Sequence, residues 1–328
     1  MGVSEVLDRF QRRHPAAGFP LAVVYKYVDD SGGYLAALIA YYSFVSLFPL
    51  LLLASTVLGF VLAGHPNLQR EILGSALNQF PVVGKQLQDP KHLGGGAVGL
   101  IVGIGGSLYG ALGVAQALQY AMNQAWRVPR NERPNPIKAR GRSLLLLGAA
   151  GLAVLGTTVL STVGAGGAGQ FGAALRVAVL VASVVVNAAA FLLAFRVATA
   201  RNVSLADIAP GAIGAAIGWQ LLQTFGVVYV SHVVRHASAT NGVFAAVLGL
   251  IAFLYLTAAM VVFCIEVNVV RVDELHPRAL LTPFTDDVNL TAGDRQAYTD
   301  QATAQTSKSF QNVDVDFDQS ADTDGDQR

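Results

Sequence analysis

Charge is scarce in this sequence, and unevenly so. Of 328 residues only 13% are Asp, Glu, Lys or Arg, about half the share of an ordinary soluble chain. Residues 34–63, 93–118, 144–165, 177–195, 208–230 and 243–265 contain none, which excludes an ordinary soluble domain. Cysteine is nearly absent too. The single Cys264 rules out an intramolecular disulfide and a cysteine-based zinc site, and in its apolar run it reads as a small core hydrophobe. No His-x-His-x-Asp-His cluster occurs, and no paired acids are spaced for two metal ions. No cofactor and no enzymatic activity are therefore expected. The basic stretch 127–142 holds no aromatic residue on which a base could stack, so nucleic acid is not an expected partner. No apolar core with a cleavage site follows the early charges Glu5, Asp8, Arg9, Arg12 and Arg13, so the first long apolar segment reads as a retained signal-anchor.

What the chain does have is hydrophobic length. Each charge-free stretch approaches or exceeds the ~20 helical residues that cross a bilayer core, and backbone groups in hydrocarbon must be satisfied within their own segment. The expected fold is all-α: a polytopic membrane protein with six transmembrane helices. Lys and Arg flanks set its orientation. Arg9, Arg12, Arg13 and Lys26, the 127–142 segment, Arg196, Arg201, Arg271 and Arg278 fall on one side; only Arg70, Lys85, Lys91, Arg176 and Arg235 fall on the other. The richer side is expected to be cytoplasmic, with both termini there. The expected organisation is a cytoplasmic segment 1–33, a transmembrane domain 34–270, and a polar, Asp-rich cytoplasmic tail 271–328, largely disordered.

Loops and small-residue patterns add detail. Leu68, Ile72, Leu73, Ala76, Leu77 and Phe80 recur at helical spacing and predict an amphipathic helix at the outer surface. A glycine-rich turn near 164–172 predicts a tight hairpin. The letters G-x-G-x-x-G at Gly164, Gly166 and Gly169 follow no strand, so they carry no dinucleotide meaning. Gly99/Gly103, Gly106/Gly110 and Gly214/Gly218 have the spacing of close helix contacts.

Polar residues inside spans are the functional candidates, because at that depth they face a bundle interior or a wet cavity. Ser43, Ser46, Gln116, Asn123, Asn187, Gln220, Gln223, Glu266 and Asn268 are candidates for a substrate path; the competing reading is that they glue helices together. Glu266 is placed to attract a cation or to pair with Arg196. Arg127, Arg130, Arg133, Lys138, Arg140 and Arg142 are candidates for anionic-lipid contact. His232 and His236 have a spacing that shares a helix face, but without further ligands they are only minor metal candidates, and no metal is expected.

Residues 34–49 (YLAALIAYYSFVSLFP) resemble the first-span signature of the YihY/BrkB family of bacterial inner-membrane proteins. The basic segment 126–142 and the last span, from Asn241-Gly-Val-Phe to Cys-Ile-Glu266-Val-Asn268, resemble it as well. The family commonly has Gly-Ala before this Glu; here Cys264-Ile265 replace that pair. The resemblance covers about residues 20–275. It implies a multi-pass protein of the bacterial inner membrane, associated with envelope integrity, with lipid translocation proposed for some members. The ribonuclease label once attached to the family finds no support in these residues. The expected function is envelope-related transport of a lipid or other amphiphile, with a non-catalytic membrane scaffold as the alternative. Membrane lipids are the expected partners, with a homo-oligomer or envelope proteins beside them.

Overall fold

The computed structural model describes residues 3–61, 96–165, 172–234, 239–280 and 288–317. These residues form helices α1 (Val3–Arg13), α2 (Pro15–Asp29), α3 (Gly32–Val61), α4 (Gly96–Ala125), α5 (Pro136–Ala165), α6 (Gly172–Ala198), α7 (Leu205–Val234), α8 (Ala239–Val272) and α9 (Ala292–Thr303), with a 3-10 turn at Arg130–Glu132. No strand occurs among them. Among the described residues four segments are long and apolar enough to cross a membrane: Pro136–Leu160, Ala174–Ala198, Leu205–Gly226 and Val247–Val272. The apolar helices α3 and α4 are 30 residues each. The 64–92 loop, the 166–171 turn and the residues beyond 317 lie outside the described residues.

The six long helices form a ring in which neighbours in sequence are neighbours in space, closed by α8 against α3. Small residues set the seams. On α4, a Cβ added to Gly106 would run into Pro49 of α3, and one added to Gly110 into the backbone of Ser46. On α7, Gly211 lies against the Cys264 carbonyl and Asn268 of α8, and Gly218 against Met260. Such faces let backbones approach and gain packing without a hydrophobic drive between helices. Leu145, Leu152, Leu155 and Val159 on α5 and Val181 and Val185 on α6 remain exposed, an apolar exterior suited to lipid and costly in water.

All six helices bring one end to a common layer, here termed the capped end. Lys26 of α2 donates to the carbonyl of Ala125 at the end of α4. Arg271 of α8 donates to the carbonyl of Ala206 on α7, and Arg142 of α5 to that of Thr199 after α6. The main hydrophobic core lies in this layer, around Met122, Trp126, Phe195, Ile208 and Ile265.

The N-terminal segment forms α1 and α2, and α2 packs on α8 and α3. At the other end the sequence expectation is corrected. The tail, expected to be largely disordered, is helical over 292–303, and Gly293, Asp294 and Ala297 are buried. The physical reason is a capping box with a buried partner. Thr291 and Asp294 satisfy each other's backbone N–H groups, while the Asp294 carboxylate also binds Arg278 and accepts from Ala279 N at 2.8 Å. Composition alone does not register a single acid with so many partners.

Candidate functional site

Helices α4, α5, α6, α7 and α8 line a half-open cavity of about 290 Å³. Its walls are Val114, Leu118, Leu146, Val154, Phe191 and Val261 with their neighbours, and Asn187, Trp219 and Thr257 are the lining residues with polar side-chain atoms. The cavity is thus an apolar chamber with a few hydrogen-bonding points, the usual make-up of a small-ligand site.

Beyond its floor, at the capped end, lies a buried ion network. The Lys26 ammonium binds Asp30 one turn on, Glu266 of α8 at 3.2 Å and the Ala125 carbonyl at 2.9 Å, so its three N–H donors are all used. Arg127 reaches Asp30 at 2.7 Å. It can do so because it ends α4 in the left-handed conformation, φ 50°, which stops the helix and turns the side chain sideways. Glu266 and Lys26 are fully buried and Asp30 almost so. Tyr27 lies beside this group; burial first, then Tyr255 and the charge of Glu266, raise its phenol above the usual value.

A second buried network ties the tail down. Arg278 binds Asp294 of α9 and Asp29 of α2 at 3.0 Å, and its guanidinium lies over the Tyr298 ring. Burial acts to lower the Arg278 pKa, but the bonds to the two carboxylates outweigh it and raise it. Gln301 donates to the Asp29 carbonyl, Arg12 to that of Asn289, and Asn131 N to that of Thr306. Nearer the rim Arg201 forms a bidentate pair with Asp273 at 2.8 and 2.7 Å and stacks over Trp126.

A family model for the virulence factor BrkB matches residues 23–283. This chain belongs to the BrkB family. Among its relatives are the uncharacterized protein Dda3937_02003 of Dickeya dadantii (strain 3937), 24% identical over 260 residues (73% of this chain and 78% of that one), and the inner membrane protein YhjD of Escherichia coli (strain K12), 23% identical over 283 residues (80% and 83%). No solved structure matches. Together with its apolar helices, the match makes this a BrkB-family membrane protein.

In this BrkB-family chain the candidate path residues do not share one surface. Asn187 lines the cavity, but Glu266 lies in the ion network beyond it. Ser43 and Ser46 donate to carbonyls of their own helix. Asn123 holds Ala200 N at 2.8 Å and so ties α4 to the α6–α7 turn. Asn268 accepts from Gly211 N at 2.7 Å and donates to the Ile208 carbonyl, tying α8 to α7. Gln116 is exposed, and Gln220 and Gln223 are half-buried outside the cavity wall. The expected Glu266–Arg196 pair does not form, since Glu266 binds Lys26 and Arg196 reaches Asn202.

The basic loop divides in the same way. Arg127 is buried on Asp30, contrary to its expected lipid contact. Arg133 donates to the Val128 carbonyl and lies over Tyr120, and Arg142 is tied to Thr199, while Arg130, Lys138 and Arg140 stay exposed. The His232 and His236 side chains lie outside the described residues. Lys26, Asp30, Arg278 and Asp294 were not among the site residues expected from sequence. One signal was there: Lys26 stands alone in the apolar run 21–28 with an acid four residues on, the spacing of a same-face ion pair.

Proposed function

We propose that this protein spans the bacterial inner membrane six times, with both termini cytoplasmic, and moves a lipid or another amphiphile between leaflets. Topology is supported by the exposed cations gathered at the capped end, as the positive-inside rule requires of a cytoplasmic face. In a Cys264→Ala background, Ser75→Cys is expected to react with an impermeant thiol reagent in intact cells and Pro136→Cys to react only after lysis. The reverse pattern would invert the topology.

The observation that carries the transport reading is the half-open apolar cavity between the helices. Its volume is near the lower end of ligand pockets, roughly 300 Å³ and above, so it fits one acyl chain or ring and not a whole phospholipid. Asn187 and Thr257 offer neutral hydrogen bonds at a depth where an unpaired charge is costly. Arg130, Lys138 and Arg140 flank the exposed Ile137, an arrangement suited to gathering anionic headgroups at the inner leaflet. Membrane lipid is thus the partner, and the role is non-enzymatic.

Protein in liposomes is expected to accelerate leaflet exchange of labelled phosphatidylglycerol. Ala190→Phe and Ala150→Phe, which fill the cavity from two walls, are expected to slow that exchange severalfold while the protein stays folded. Exchange no faster than in empty liposomes, across several lipid classes and with an imposed ion gradient, favours the second reading. That reading is a non-catalytic envelope scaffold, and the sealed, salt-bridged capped end is the observation in its favour.

A further inference from the structure

The Lys26–Asp30–Arg127–Glu266 network sets two cations against two carboxylates, and no side chain in it is more than 5% exposed. Burial costs several kcal/mol per ion before pairing, and ionisable groups at this depth mark functional sites by default. The pairing is also incomplete. Among the described residues, Glu266 Oε1 and Asp30 Oδ1 are buried with no hydrogen-bond partner, and so are Nε, Nη1 and Nη2 of Arg127 and the indole Nε1 of neighbouring Trp126; Arg127 and Asp30 meet as an ion pair without a hydrogen bond. The site therefore holds an open acceptor on each acid and open donors on its cationic side. None of the network's residues lines the cavity; Glu266 lies five residues beyond the cavity-wall residue Val261, a rise of about 7.5 Å along α8.

Charge balance decides what these open positions accept, and when. With Glu266 ionised the network is neutral and has no net attraction for an anion. With Glu266 protonated, Lys26, Arg127 and Asp30 leave one uncompensated positive charge in a buried site, which is strongly unfavourable. An oxyanion entering beside Arg127 restores neutrality and uses the open N–H donors of Arg127, and Lys26, whose three donors are occupied while Glu266 is ionised, can turn one to it once Glu266 is neutral. An oxyanion entering without the proton would leave net negative charge instead. The other groups facing the network are Tyr27 of α2, Tyr255 of α8 and the half-buried Asp300 of α9 at the rim.

We infer that this network is a proton-linked oxyanion site, in which Glu266 takes up a proton as an anionic group binds to Arg127 and Lys26. The inference rests on the amphiphile reading for the source of the anion, and it assigns that amphiphile a negatively charged headgroup. The linkage itself needs only an oxyanion.

The test uses the full chain in neutral detergent, titrated with dioctanoyl phosphatidylglycerol, with dioctanoyl phosphatidylcholine and with inorganic sulfate. Calorimetry in buffers of different ionisation enthalpy counts the protons, and infrared spectroscopy follows the carboxylic C=O stretch of Glu266. Phosphatidylglycerol is expected to bind with uptake of about one proton, and its Kd to rise about tenfold per pH unit wherever free Glu266 is ionised. The C=O band should grow as the lipid binds and be absent in Glu266→Gln. That variant should bind the anion with a pH-independent Kd and no uptake. Phosphatidylcholine should take up no proton.

Sulfate separates the sources: sulfate uptake without phosphatidylglycerol binding keeps the site and removes the amphiphile reading. Phosphatidylglycerol binding with no uptake overturns the inference, as does uptake that persists in Glu266→Gln. If neither anion raises the C=O band of the wild-type chain, the inference is likewise overturned.

Discussion

Replacing Asp294 with Ala is expected to destabilise the protein by about 3–5 kcal/mol, because it leaves one end of a buried ion pair without its partner. Arg278 is fully buried and holds two carboxylates, Asp294 and Asp29. Asp294 also accepts from Ala279 N and completes the capping box with Thr291, so one substitution removes a charge partner, a backbone acceptor and a helix cap. Arg278→Ala is expected to cost a similar amount, and the double variant much less than the sum, since partners in one network are not additive. Removing everything from residue 288 onward should also destabilise, but by less than Asp294→Ala, because water then reaches the Arg278 guanidinium. Melting in detergent, followed by fluorescence, ranks the variants. A truncated chain as stable as the full one would return the tail to the disordered status its composition suggests.

The second large effect is expected at Lys26. Lys26→Met removes the cation shared by Asp30 and Glu266 and strips the Ala125 carbonyl of its donor. Asp30 keeps Arg127, but Glu266 keeps nothing. A loss of about 3–5 kcal/mol follows from breaking a buried pair on one side. Adding Glu266→Gln to Lys26→Met removes the stranded charge and should recover most of that loss, since a buried ion pair can often be replaced by neutral groups without penalty. The cycle is read by denaturant melts of the four proteins. A double variant as unstable as the sum of the singles would show that Lys26 and Glu266 act on separate parts of the fold.

The two networks share a location, and it is not that of the cavity. Both lie at the capped end, where α2, α4, α8 and the tail meet, while the cavity lies farther along the bundle, between α4 and α8. Under the proposed transport role, variants that fill the cavity should impair movement of lipid without large losses in stability, variants in the Arg278–Asp294 network should cost stability first, and variants in the Lys26–Glu266 network should cost both. Asn123 and Asn268 belong with the networks: each bonds the backbone of a neighbouring helix or turn, so they are expected to respond as ties and not as path residues.

The six charge-free stretches could be read directly because their cause is local: a segment either carries a charge into hydrocarbon or it does not. The family signature at 34–49 and the glycine faces of α4 and α7 were equally local, for a side chain too small to keep a neighbour away is small in any context. Which polar residues meet was not local. Lys26 and Glu266 lie 240 positions apart, and Arg278 joins Asp29 across a separation of 249; no spacing rule spans such distances. The sequence reading therefore named Glu266 but gave it the wrong partner, and it read Lys26 only as a marker of orientation. It also expected one polar route, whereas the packed bundle spends Asn123 and Asn268 on backbone ties and leaves the cavity largely apolar. Hydrophobic length along the chain determined that the protein is a helical membrane protein; only the convergence of distant helices decided where its buried charges are satisfied and where they are left open.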